Sequence, residues 1–200
     1  MAAADAKIRA FTAIEIGDGV RGAAAALIGR LREIPLRVSW VRPENLHVTL
    51  RFLGEIEQDR FTQYAEQVRE GIAGTSTFEA TMRGVGAFPN ARRPSVIWAG
   101  LESQGESLGH IHEIAECAAR SVQLPAEVRV FVPHITLGRV RRGSASADIT
   151  KCLDAEKGFE AGAFTVEAVS LFSSELTPQG AKYTRLHRLT LNGICGARDL

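Results

Sequence analysis

The four residues His47-Val48-Thr49-Leu50 return as His134-Ile135-Thr136-Leu137, nearly half the chain later. Both copies alternate in polarity. Successive side chains of a strand point to opposite faces, so Leu46, Val48, Leu50 and Phe52 are expected on one face, with His47, Thr49 and Arg51 on the other. In the second copy Ile135 and Leu137 oppose His134 and Thr136. Packing asks only for apolar residues at alternate positions. It does not ask for histidine at one phase and threonine two residues on, twice. A lone strand histidine is ordinarily a satisfied structural residue. The repetition instead points to one groove supplied by both strands, each with a core behind it.

Around these strands the chain has room for one substantial domain, or for two small lobes sharing a core, in its 200 residues. A net charge of +1 excludes a globally basic nucleic-acid coat and confines any such contact to a site. Cys117, Cys152 and Cys195 fit no disulfide or metal spacing and read as reduced thiols. Residues 1–10 lack the apolar core of a signal peptide, and no run approaches the length of a membrane span. A cytoplasmic protein without membrane contact is expected.

The rest of the chain supplies a frame. Residues 8–16 alternate as a strand, and Asp18 is placed to cap a helix whose Val20, Ala23, Ala24, Leu27, Ile28 and Leu31 form an apolar stripe. Pro35 stops that helix. The first histidine strand is expected over 45–53, ended by Gly54, before a helix over 59–72. A strand over 78–88, interrupted by Gly84 and Gly86, and another over 95–101 precede a third helix over 106–122. The second histidine strand spans about 132–140. After it come a short helix near 149–155 and two closing strands, 164–174 and 183–191, joined through Pro178-Gln179-Gly180. This mixture of hairpins and helical crossovers predicts an α+β fold. It would be one bilobal domain over 1–200, a duplicated fold in which two mainly antiparallel sheets face a central groove and helices cover the outer faces.

Two histidines and two hydroxyls suit the opening of a strained cyclic phosphate. One imidazole takes a proton from the attacking water while the other protonates the departing ribose oxygen. An unperturbed pKa near 6.5 serves both roles. Threonine hydroxyls can donate to the non-bridging oxygens as charge builds there. The scheme needs no cofactor. Metal-ligand spacings are also missing at these two histidines: neither belongs to a His-x-His, no paired Cys is present, and no acidic residue alternates with either. His110-Ile111-His112 falls in an expected helix, where residues two apart do not share a face.

The sequence resembles the RNA 2′,3′-cyclic phosphodiesterase and 2′-5′ RNA ligase family of the two-histidine phosphoesterases. The matching pieces are Arg9-Ala10-Phe11-Thr12-Ala13-Ile14, Glu44-Asn45-Leu46-His47-Val48-Thr49-Leu50, Phe52-Leu53-Gly54-Glu55 and Gly86-Ala87-Phe88-Pro89. They continue with Pro133-His134-Ile135-Thr136-Leu137-Gly138-Arg139, Ser174-Glu175-Leu176 and Gly180-Ala181-Lys182-Tyr183. The resemblance implies a pseudo-twofold bilobal fold and hydrolysis of RNA 2′,3′-cyclic phosphate ends to 2′-phosphates, with 2′-5′ ligation as the reverse. It implies His47 as acid to the 3′ oxygen, His134 as base to water, and Thr49 and Thr136 as phosphate ligands. The residues alone leave the two histidine roles interchangeable. They also leave open a small cyclic nucleotide as substrate, or a module that binds RNA ends without turnover. A monomer with no obligate protein partner is expected.

Arg139 is a phosphate ligand by resemblance, but strict alternation from His134 sets it on the opposite face. A bulge or strand end after Gly138 would turn it back. Arg51 has the right parity, yet reads as solvated or paired. Phe11 is the candidate base-stacking residue, and Trp98, Phe172 and Tyr183 are further aromatic candidates with core packing as the competing role. Arg92-Arg93 and Arg141-Arg142 could guide an RNA backbone or be plain surface. His110, His112 and His187, lacking a repeated motif, are expected to be structural or exposed.

Overall fold

The computed structural model describes residues 7–141, 148–178 and 180–191. In chain order its elements are β1 (Lys7–Glu15), α1 (Asp18–Leu31), β2 (Val38–Trp40), a 3-10 turn at Pro43–Asn45 and β3 (His47–Glu57). Then come α2 (Gln58–Gly71), β4 (Phe78–Phe88), β5 (Val96–Ser103), α3 (Ser107–Ser121) and β6 (His134–Val140). The chain closes with α4 (Thr150–Ala155), β7 (Glu160–Val166), β8 (Ala168–Thr177) and β9 (Gly180–Thr190). The fold is α+β, and every strand pairing among the described residues is antiparallel.

Eight strands run in the order β7-β4-β5-β6-β3-β1-β8-β9, with β2 added beside β6. The two histidine strands are therefore the central neighbours, each with three further strands on its outer side. They meet through one residue pair, Val48 with Ile135. Further along the same edge of β6, β2 takes over, pairing Val38 to Trp40 with Val140 to Gly138. The two expected sheets are thus joined at a narrow seam into one nine-stranded sheet. Val48 and Ile135 are both fully buried there, and burying such side chains contributes about 1.5–3 kcal/mol each.

The helices form where the apolar periodicity places them. Val20, Ala24, Leu27, Ile28 and Leu31 line the buried stripe of α1, and Phe61, Tyr64, Ala65 and Val68 that of α2. In α3 the stripe is Leu108, Ile111, Ala115, Ala118 and Ala119. Gly71 lets the end of α2 lie against Ile114 of α3, where a Cβ would stand 2.5 Å from the isoleucine methyl.

Several boundaries differ from expectation. Asp18 is the first residue of α1 and Gly17 its cap, so the carboxylate acts on the positive helix end without a capping hydrogen bond. Gly54 does not end β3. It has φ +69° and sits in a bulge, and the strand continues to Glu57. Gly84, at φ +68°, likewise bends β4 without breaking it. The single strand expected over 164–174 is two, β7 and β8, parted at Glu167. Arg142, Gln179 and Cys195 lie outside the described residues.

Candidate active site

Antiparallel register about Val48 and Ile135 sets His47 toward Thr136 and Thr49 toward His134 across the seam. The four repeated residues are brought together on one face, as the motif predicts. Each imidazole is fixed by its own strand in the same way. Nδ1 of His47 lies 2.7 Å from the Asn45 carbonyl, and Nδ1 of His134 lies 2.7 Å from that of Val132. A carbonyl can only accept, so Nδ1 carries the proton in both rings and Nε2 is left for the groove. The Thr49 hydroxyl donates to Nε2 of His47 at 3.0 Å.

Both imidazoles are held below their ordinary pKa. For His47, burial is the main cause; the positive charges of Arg139 and of His134 add to it, the Asn45 carbonyl opposes it, and the result is about 4. Burial also lowers His134, again with a contribution from Arg139 and opposition from the Val132 carbonyl. Held below 6.5, both rings favour the neutral form near pH 7.

A bulge in each histidine strand decides what else faces the groove. In β3, Thr49 pairs with Ala13 and Arg51 with Thr12, so Leu50 is the extra residue. In β6, Thr136 pairs with Trp98 and Gly138 with Ile97, so Leu137 is the extra residue. The leucine of each His-x-Thr-Leu motif is therefore bulged, and beyond it the two faces exchange. Arg139 swings onto the groove face as a bulge requires, the bulge falling at Leu137 and not after Gly138. Its charge reaches His47, His134 and Tyr183.

The same exchange overturns the expected positions of Arg51 and Phe52. Arg51 turns inward and is only 8% exposed, ion-paired with Glu116 at 2.7 Å. It also donates to the carbonyls of Phe52 and Pro125. Phe52 turns outward and is 51% exposed, in the groove. Alternation alone missed it. The repeat held the signal, because Phe52 and Arg139 stand at the same distance after their histidines.

The groove has two arms, of about 610 and 590 Å³, that share Thr49, Phe52, Thr136 and Arg139. One arm runs from His47 toward Arg9, Leu176 and Tyr183. The other runs from His134 toward Phe88, His112 and Phe131. Phe11 borders the first arm but is 3% exposed, its ring packed against His47 at 4.9 Å, Phe172 at 5.2 Å and Tyr183 at 4.9 Å. It braces the imidazole and offers a base little free face. Trp98 is half-buried beside Phe88 and His134. His187 packs on Phe61 and His110 is exposed, as expected. His112 does more than the sequence suggests: it donates to the Leu50 carbonyl at 2.9 Å and stacks on Phe131. Arg92 and Arg93 stay on an exposed turn, their backbone amides bound by the Asn90 side chain. Among the described residues no group of three or more His, Cys, Asp or Glu is placed to hold a metal ion, and no helix is long and apolar enough to cross a membrane.

Comparison with known proteins gives this site its relatives. The model of the LigT-like phosphoesterase family matches twice, over residues 14–98 and 101–183, one His-x-Thr-Leu motif falling in each match. An RNA 2′,3′-cyclic phosphodiesterase of Methanothermobacter thermautotrophicus is 33% identical over 89% of this chain and 96% of its own length. One from Thermotoga maritima is 30% identical over 93% and 97%. In fold, a crystal structure from Thermus thermophilus superposes with a TM-score of 0.75 at 28% identity, covering 93% of this chain and 99% of that one. Escherichia coli LigT complexed with 3′-AMP gives 0.73 at 24%, with the same coverage. The chain belongs to the LigT-like phosphoesterase family.

Proposed function

We propose that this protein hydrolyses RNA 2′,3′-cyclic phosphate ends to 2′-phosphates, with His47 and His134 as acid and base and without a metal ion. The observation that carries the reading is the matched pair of imidazoles, each with Nδ1 tied to a backbone carbonyl, bordering one groove with Thr49, Thr136 and Arg139. The named activity of the curated relatives points the same way.

The cyclic phosphate enters as an anion between the two rings. Its negative charge opposes the effect of burial and raises the pKa of His47, which takes up a proton at Nε2. That proton changes the role of Thr49. Its hydroxyl can no longer donate to Nε2 and is released to donate to a non-bridging phosphate oxygen. Thr136 and Arg139 hold the other oxygens as charge develops. His134, neutral, accepts a proton from water as the water attacks phosphorus. The P–O3′ bond breaks in line, and O3′ takes the proton from His47. The products are a 2′-phosphate and a free 3′-hydroxyl. His47 leaves neutral, His134 leaves protonated, and exchange with water resets both.

The protein acts as a monomer, one domain of two lobes that each contribute a half-site. It works in the cytoplasm, where the free Cys117 and Cys152 stay reduced. The test is product analysis of a short RNA bearing a 2′,3′-cyclic phosphate, with chelator present. Conversion to the 2′-phosphate is expected, and His47→Ala or His134→Ala should lower turnover at least about 100-fold with folding intact. A 3′-phosphate product would reverse the leaving oxygen. RNA bound without product would leave an end-binding module.

A further inference from the structure

We infer that His112 is a positioning residue for His134, acting through the stacked ring of Phe131 and the carbonyl of Val132. In the cyclic-phosphate reading on which this rests, His134 is one of the two catalytic imidazoles. In α3, His112 stands one turn after Leu108 and one turn before Ala115, both buried. It therefore shares their inward side of the helix and borders the groove. Its Nδ1 donates to the Leu50 carbonyl at 2.9 Å, since a carbonyl can only accept. The ring is thereby fixed to the bulged residue of the first motif.

Phe131 lies flat on that ring, with ring centres 4.1 Å apart and planes within 3°. The chain just before it stands clear of the core, with Val128 92% and Val130 88% exposed. Two clips lie further back, where Arg51 donates to the Pro125 carbonyl and Glu116 accepts the Glu127 amide. Phe131 itself is half-buried against the core. A backbone tie follows at Pro133, whose carbonyl accepts the Leu101 amide at 3.1 Å. The Val132 carbonyl, which accepts from Nδ1 of His134 at 2.7 Å, is thus held by the stack before it and by Pro133 after it.

The first half-site reaches the same end with hydrogen bonds. The Asn45 carbonyl that orients His47 belongs to the 3-10 turn, where the Asn45 and Leu46 amides bind the Arg42 and Pro43 carbonyls. The Asn45 side chain also donates to the Ala181 carbonyl at 3.0 Å. Val132 has no polar side chain to anchor it, so the aromatic stack takes that place. Phe88 and Trp98 pack on the His134 ring as well. Such packing restrains the plane of the ring, but the carbonyl settles which nitrogen carries the proton.

The experiment pairs nitrogen NMR of the imidazoles with kcat and KM on a nucleoside 2′,3′-cyclic phosphate. His112→Asn keeps a donor near the Nδ1 position and removes the stack. His112→Phe keeps a ring for the stack and removes the donor. Phe131→Leu breaks the stack from the loop side, and each variant is checked for an intact melting transition. In His112→Asn and Phe131→Leu the His134 signals should move from one Nδ1–H tautomer toward a mixture, with those of His47 unchanged. Their kcat should fall about 10- to 100-fold with KM little altered. His112→Phe should keep the His134 tautomer and most of kcat. His134 signals unmoved in both stack-breaking variants, or moved as far by His112→Phe, would overturn the inference while leaving the hydrolase in place. A wild type that turns over no cyclic phosphate would overturn the hydrolase reading and the catalytic part of this inference, while the imidazole signals decide the orientation by themselves.

Discussion

Phe52 and Arg139 occupy the same place in the two copies of the repeat. Each is the fifth residue after its histidine, each follows a bulged leucine, and each faces the groove. The burial pattern from histidine onward is the same in both strands through these residues. One half-site thus presents an aromatic ring where the other presents a guanidinium. The symmetry of the imidazoles is broken at this position, which gives the groove a charged side and an aromatic side.

Replacing Arg139 by Ala should weaken the site and retune it together. Loss of a charge-assisted contact to the phosphate should lower kcat/KM by roughly 10- to 100-fold. Removing the nearby positive charge should also raise the pKa of both His47 and His134. Imidazole titrations followed by NMR would show both rings moving upward. Unmoved titrations would place Arg139 away from them.

A bound phosphate group should raise the pKa of His47 from its value near 4, because the anion stabilises the imidazolium. Titration with and without a nucleoside 2′-phosphate tests this directly. An unchanged or lowered pKa in the complex would remove His47 as the acid.

His47 should also make the fold acid-sensitive. Its folded pKa of about 4 lies below the ordinary value near 6.5, so the unfolded chain binds more protons between these limits. Stability therefore falls as pH drops through that window, by up to roughly 3 kcal/mol from this residue. Below pH 4 the loss is complete. His47→Asn should flatten the corresponding part of a melting temperature versus pH curve.

Arg51 and Glu116 should behave as a coupled pair. Arg51→Met leaves the half-buried Glu116 carboxylate to the more distant Arg120, 3.8 Å away, and the Glu127 amide, and should cost about 1–3 kcal/mol. The double variant Arg51→Met with Glu116→Met should recover much of that loss. Urea unfolding of the two single variants and the double variant closes the cycle.

Gly138 occupies the place in β6 that Arg51 has in β3, but β2 covers it. A Cβ there would stand 2.6 Å from a Val38 methyl and 2.8 Å from the Trp40 ring. Gly138→Ala should destabilise by about 1–3 kcal/mol and lower activity through its neighbour Arg139, as thermal melts and kcat/KM would report.

Most of the frame was legible because it is local. Apolar stripes placed α1, α2 and α3, and period-two alternation placed the histidine strands. The paired motif named His47, Thr49, His134 and Thr136, which the fold brings together. The bulges were not legible, since the extra residue at Leu50 or Leu137 exists only relative to a neighbouring strand. One unseen bulge misassigned Arg51 and Phe52, and the other left Arg139 undecided. The role of His112 was hidden for a similar reason: its partners, Leu50 and Phe131, come from distant parts of the chain. The split between β7 and β8 also escaped a reading of apolar content, because buried residues continue on both sides of Glu167.

Each imidazole takes its orientation from a carbonyl two residues back along the chain, and the two histidine strands pair at a single residue pair. Aim and spacing are consequently set by different parts of the molecule. A change at the seam would alter how far apart the two rings stand without turning either one. The distance between the two rings can therefore be adjusted, by selection or by design, independently of the tautomer each ring holds.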